Sequence, residues 1–246
     1  MTNVTFGWRL QLKDVFKQVN INDSGAVAFI CNAGTPVLAT LLDKYGNALA
    51  NPLQLTSGTL EFYISESNAT APGNVDIYGM TAKGHWFEYL GVSPSGPNEI
   101  NINTSIKRMR MKIPFAIGNT GPAGACVAAT EFKIGLAMPS QAALLDRLHG
   151  LGALCTTIQS GKTLSFGILS TETGGAATGF INASSIAPTA PALFVIGTNG
   201  ALFSTNAPYP GDSETGGAAN GLDLSLTLSS GTTTGQGFIL APYELY

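Results

Sequence analysis

Any nucleophile-and-base site built on imidazole has two histidines to draw on, His85 and His149. A Ser–His–Asp or Cys–His arrangement needs one of them within reach of its nucleophile and of a third group that orients it. His85 lies in "GHWFEYL", at the start of a strand-like run. His149 adjoins Gly150 at the end of a helix-like run, where a cationic side chain suits the helix dipole. Both positions read as structural. G-x-S-x-G is absent, because "GVSPSG" has the wrong spacing. "QSGKT" (159–163) lacks the first glycine of a phosphate loop, that position being Thr156, and a strand-like run follows it instead of a helix. H-E-x-x-H, C-x-x-C and EF-hand patterns are absent as well.

Carboxylate pairs for glycoside hydrolysis carry no spacing rule, so the acids are judged by their neighbours. Glu61, Asp76 and Glu88 stand among Phe62, Tyr63, Tyr78, Trp86, Phe87 and Tyr89, a set that would line a sugar cleft. The plainer reading is solvent-facing acids alternating with core aromatics, and "HWFEYL" permits it. A third cluster is basic. "IKRMRMKIPFAI" (106–117) alternates, with Met109, Met111, Ile113 and Phe115 on one face and Arg108, Arg110 and Lys112 on the other. That face suits an acidic protein partner. A nucleic-acid footprint needs more positive charge and exposed stacking aromatics. Cys31, Cys126 and Cys155 are odd in number and far apart, which fits buried thiols better than disulfides or a zinc site.

These residues are carried by a chain that reads as β almost throughout. "TLEFYI" (59–64), "VDIY" (75–78), "HWFEYL" (85–90) and "EININ" (99–103) are short, β-branched or aromatic, and separated by turn signals such as "APGN". After "GNTGPAGA" (118–125) come "TLSFGIL" (163–169), "GFINASSI" (179–186), "ALFVIG" (192–197), "LDLSLTL" (222–228) and "QGFILAPY" (236–243). One segment, "SQAALLDRLHG" (140–150), predicts a helix: Ser140 as N-cap, Leu144, Leu145 and Leu148 on one face, Gly150 as the stop. "ETGGAATG" (172–179) recurs as "ETGGAANG" (214–221). Neither copy opens a helix, as an anion-binding glycine loop must, so both read as tight turns whose Gly-Gly supplies positive φ. One carboxylate in each, Glu172 or Glu214, is too few for calcium.

The expected fold is all-β: two β-sandwich or jelly-roll-like domains, 1–117 and 129–246, joined by a short Gly-rich linker at 118–128, with one short helix in the second. Charged residues are only 11% of the chain, against an average of about 25%, and Gly, Ser, Thr and Asn replace them. A soluble monomer usually carries more charge, so the surface suits one covered by partners, a homo-oligomer of dimer or trimer type. The formal charge of −3 gives no global attraction to nucleic acid or to anionic membranes. No basic-then-apolar leader opens the sequence, and no run of 18 apolar residues interrupts it, so neither secretion nor a membrane helix is expected.

Two stretches carry a family resemblance. "LATLLDKYGNALANPLQLTSGTLEFYIS", with "GNVDIYGMTAKG", "SPSGPNEININTS" and "MKIPFAI", resembles an N-terminal β module of tailed-phage virion proteins, through Gly46, Asn47, Asn51, Pro52 and Gly58 to Phe62. "GILSTETGGAATGFINASSI" and the closing "GFILAPY" (237–243) resemble a β domain of the same kind of protein. Together they span most of residues 36–243. The turn "GGAATG" is less acidic than in that domain, so no ion is expected there. The resemblance implies a non-enzymatic, cofactor-free capsid cement or decoration protein. Its partner would be the major capsid protein, and its location the capsid surface of a virion assembled in the host cytoplasm. Other expectations are a tail or head-fibre component and a carbohydrate-binding or hydrolysing protein using the aromatics near Trp86.

Overall fold

The computed structural model describes residues 4–14, 19–65, 73–94, 99–103, 108–137, 142–145, 151–157, 159–172, 175–186 and 223–245. Among these there are strands and turns and no α-helix. The chain divides into two units, Met1–Ile106 and Lys107–Tyr246.

The first unit contains β1 (Val4–Asp14), β2 (Val19–Asn20), β3 (Val27–Asn32), β4 (Leu41–Leu42), β5 (Ala48–Leu49), β6 (Leu53–Gln54), β7 (Thr59–Ser65), β8 (Val75–Met80), β9 (Trp86–Val92) and β10 (Glu99–Ile102). One sheet has the order β10-β1-β7-β4-β5, with β2 also on β1; the other is β6-β3-β8-β9. The pattern of β1 explains its central place. Trp8, Leu10 and Leu12 alternate with Arg9, Gln11 and Lys13, so the period-two rule puts one apolar row inward. That row pairs with β7 in antiparallel register, Trp8 opposite Phe62 and Leu10 opposite Leu60. Its other edge takes β10 in parallel, Leu12 opposite Ile100. Both sheets contribute to one buried cluster, which holds Trp8, Leu10, Leu60 and Phe62 from the first and Ile30, Val75, Ile77 and Phe87 from the second. Trp8 stacks on Phe62 at 5.1 Å, and its indole N–H donates to the carbonyl of Val92 at 3.1 Å, joining the sheets by a polar contact as well.

The second unit contains β11 (Arg108–Ala116), β12 (Thr120–Gly121), β13 (Gly124–Ala125), β14 (Glu131–Ala137), β15 (Ala142–Leu145), β16 (Gly152–Thr157), β17 (Thr163–Ile168), β18 (Ala176–Ser185), β19 (Asp223–Leu228) and β20 (Gln236–Leu245). Its sheets are β11-β20-β15, with β16 also on β20, and β14-β19-β17-β18. In β19 the leucines 224, 226 and 228 are buried as their alternation requires. In β14, Phe132, Ile134 and Leu136 do the same.

Three sequence expectations change. Residues 142–145, inside the expected helix 140–150, form an edge strand on β20, with Ala143 opposite Glu244 and Leu145 opposite Tyr243. Leucine spacing is a local signal, whereas the open edge of β20 lies about a hundred residues away. A short helix is marginal without packing, and the ladder wins. Residues 140–141 and 146–150 lie outside the described set.

The expected linker 118–128 holds the hairpin β12–β13. Gly118 N–H donates to the Cys126 carbonyl at 2.9 Å, Cys126 N–H to the Asn119 carbonyl at 2.7 Å, and Cys126 is buried. The units part earlier, at Ile106/Lys107, because β11 pairs along nine positions with β20 and so belongs to the second.

In the first glycine repeat, residues 176–179 belong to β18, residues 173–174 lie outside the described residues, and Gly175 does not have a left-handed backbone. A Cβ there would meet the Leu169 carbonyl oxygen at 2.1 Å, so close approach requires the glycine. The second repeat, 214–221, and the expected strand 192–197 lie outside the described residues.

Candidate functional site

The basic strand is β11. Met111, Ile113 and Phe115 are buried on one face; on the other, Arg110 is exposed and Lys112 half-buried. Lys112 Nζ lies 4.8 Å from the centroid of the Phe238 ring, on the neighbouring strand β20. Its charge thus faces an aromatic and its stem covers apolar surface. The backbone of Arg108 pairs with Glu244, while its side chain lies outside the described residues. Arg110 stands opposite Pro242. The face is therefore one open guanidinium beside an aromatic-backed ammonium, a shape that suits a protein carboxylate surface.

The aromatic cluster is placed differently. Phe62, Tyr78, Trp86 and Phe87 are buried. Asp76 is buried too, on a strand whose every residue is buried. Its Oδ2 accepts from Gly34 N–H at 2.8 Å and its Oδ1 from Gly91 N–H at 2.9 Å, so the carboxylate ties the turn at Gly34 and the end of β9 to β8. Burial first, then the negative charge of Asp76, raises the Tyr78 hydroxyl far above its usual range and keeps it neutral. Glu88 faces outward, and Glu61 sits 3.8 Å from Arg9. Asp76 and Glu88 are thus not gathered with Glu61 round one cleft.

Other carboxylates repeat the turn-tying role. Asp23 accepts from Gly25 and Ala82 N–H, both at 2.8 Å. Asp43 accepts from Tyr45 and Asn47 N–H, both at 2.8 Å, and from the Asn47 side chain at 2.9 Å. The Asn47 side chain and backbone hold the Asp43 carboxyl below its ordinary value. Burial pushes Glu131 up, but hydrogen bonds from the Ser170 hydroxyl and backbone N–H outweigh it and leave its carboxyl lowered. Asn51, buried next to a cis peptide bond to Pro52, accepts from Ile30 N–H at 3.1 Å and donates to the carbonyls of Ile30 at 2.7 Å and Ala39 at 2.9 Å.

The remaining candidates are quickly located. Burial first, then nearby Lys83, lowers the pKa of His85, against a smaller pull from Asp14. His149 lies outside the described residues. Cys31, Cys126 and Cys155 are buried thiols outside any disulfide, and burial pushes those of Cys126 and Cys155 up to about 11. Among the described residues no three His, Cys, Asp or Glu side chains gather as metal ligands would.

Of the set named from the sequence as lining a sugar cleft, Glu61 and Tyr63 do border a hollow, together with Arg9 and Tyr45, which the sequence did not single out. The outer face of the first sheet carries a hollow of about 650 Å³ lined by Arg9, Tyr45, Glu61 and Tyr63 among others. The signal available was the outward row of β1, but its partners lie some fifty residues away along the chain. No family model, curated protein or solved structure matches the chain.

Proposed function

We propose that this protein is a structural component of a tailed-phage virion, of the capsid cement or decoration type. It binds the outside of the head and stabilises it by bridging capsomers. We read each unit as a jelly-roll-like sandwich and the assembled protein as a dimer or trimer on the major capsid protein. Two binding units on one chain raise the effective concentration of the second contact once the first has formed. A stable contact of this kind buries about 1,600 Å² in total.

The observation that carries the reading is the use made of acidic and amide side chains. Asp23, Asp43 and Asp76 accept from backbone N–H groups of turns, and Asn51 ties its own loop to strand β3 through Ile30 N–H, which makes loops rigid. A subunit that works by fit gains from such loops, since a contact surface already ordered loses less entropy on binding. The sparse surface charge and the sequence resemblance point the same way.

Imaging of virions with and without this polypeptide tests it. The expected result is extra density on the outer surface of the head. Density confined to the tail, or none on the particle, overturns the proposal.

A further inference from the structure

Side chains of β1 and β7 that point away from the core cluster build a surface with a chemistry of its own. Arg9 and Glu61 stand directly opposite each other in the ladder, as do Gly7 and Tyr63. Because position 7 is glycine, the Tyr63 ring lies over the bare backbone: a Cβ on Gly7 would sit 2.5 Å from its Cε1. The ring thus has a glycine floor, and its hydroxyl donates to Glu61 Oε1 at 3.4 Å. It borders the 650 Å³ hollow and also a smaller one of about 300 Å³ that is lined by Ser93 and Pro94 as well. Arg9, Glu61 and Tyr63 line both. Tyr45, 77% exposed, also lines the larger hollow, on a turn that Asp43 holds in place; Lys44 Nζ lies 4.9 Å from its ring centroid and leaves the other ring face for a ligand.

Charge narrows the occupant. The wall carries Arg9 and Lys44 against Asp43 and Glu61, a formal sum of zero, so it has no field to concentrate a phosphate, a sulfate or a polyanion. The Arg9–Glu61 pair is loose at 3.8 Å, with side chains 79% and 42% exposed, so guanidinium donors and carboxylate lone pairs stay open to a ligand. Aromatic surfaces and hydroxyl-matching polar groups side by side complement a ligand with apolar C–H faces and hydroxylated edges. A pyranose has both.

We propose that this double hollow binds a neutral oligosaccharide of at least two sugar units, with Tyr63 and Tyr45 as stacking platforms and the Arg9–Glu61 pair as hydroxyl partner. The site is distinct from the buried aromatics near Trp86, and it does not depend on the virion reading.

The test exposes the full-length chain to an array of neutral oligosaccharides printed beside sulfated and sialylated ones. The best neutral ligand is then titrated by calorimetry, with inorganic phosphate as competitor. One neutral class should be captured, and Tyr45→Ala and Arg9→Ala should each weaken it about tenfold or more with the melting temperature unchanged, since both side chains are exposed. Tyr63→Ala should weaken it further. Capture of no neutral glycan, capture of anionic glycans alone, competition by phosphate, or binding indifferent to Tyr45→Ala and Arg9→Ala would each overturn the assignment.

Discussion

Asn51 engages both ends of its amide within the core of the first unit, and it replaces a stretch of ladder that a strand would otherwise supply. Truncation to alanine leaves the Ile30 N–H buried without its partner and takes a donor from the carbonyls of Ala39 and Ile30, the latter keeping Ala39 N–H, at a cost of roughly 2 kcal/mol. Both tryptophans, Trp8 and Trp86, belong to this unit, so their fluorescence in a urea titration reads the loss directly.

His85 makes stability depend on pH. Its folded pKa is lowered, so between that value and the unfolded value near 6.5 the unfolded chain binds more protons. Stability is therefore undiminished above about pH 6.5 and falls as the pH drops through this window. His85→Gln should flatten that fall in the same titration, and an unchanged slope would contradict the assignment.

The thiols of Cys126 and Cys155, held near 11, should react slowly with a thiol reagent at pH 8 until the chain is denatured, when all three cysteines titrate. Fast reaction of the folded protein at either would rule out the buried setting. Asp76 shows why single acids were hard to judge from sequence. The residue type announces an acid, while burial of every residue of β8 decides that it must be satisfied from within.

At the scale of elements, short β-branched or aromatic runs between turn signals were legible. The spans expected at 59–64, 75–78, 99–103, 163–169 and 236–243 match β7, β8, β10, β17 and β20 within a few residues. Strand-favouring residues and turn signals are local properties, so they survive without knowledge of partners. The segment 142–145 was misread because its partner, β20, lies far along the chain, and leucine spacing cannot report that edge. The part of Arg9 and Tyr45 in the hollow on the first sheet was invisible for the same reason, because β1, the turn after β4 and β7 are brought together only by the ladder.

The basic face of β11 belongs to this scale too. Arg110→Glu should leave the melting temperature unchanged, because the side chain is exposed. It should weaken docking to the head roughly threefold to tenfold and reduce the salt dependence of binding. Wild-type docking by this variant would remove β11 from the interface.

For the whole molecule, the division at Ile106 and the self-contained core of the first unit predict that residues 1–106 expressed alone unfold cooperatively, with the tryptophan signal of the full chain. A fragment lacking a cooperative transition would show that the unit requires the rest of the polypeptide. The central claim is that this protein acts by fitting against a viral shell. It is tested most directly by co-sedimenting the purified full-length chain with heads that lack it. Saturable binding at a fixed ratio to the major capsid protein, with heads that then resist heating better, is the predicted result. Heads that pellet without the chain at every concentration, and melt unchanged in its presence, would contradict it.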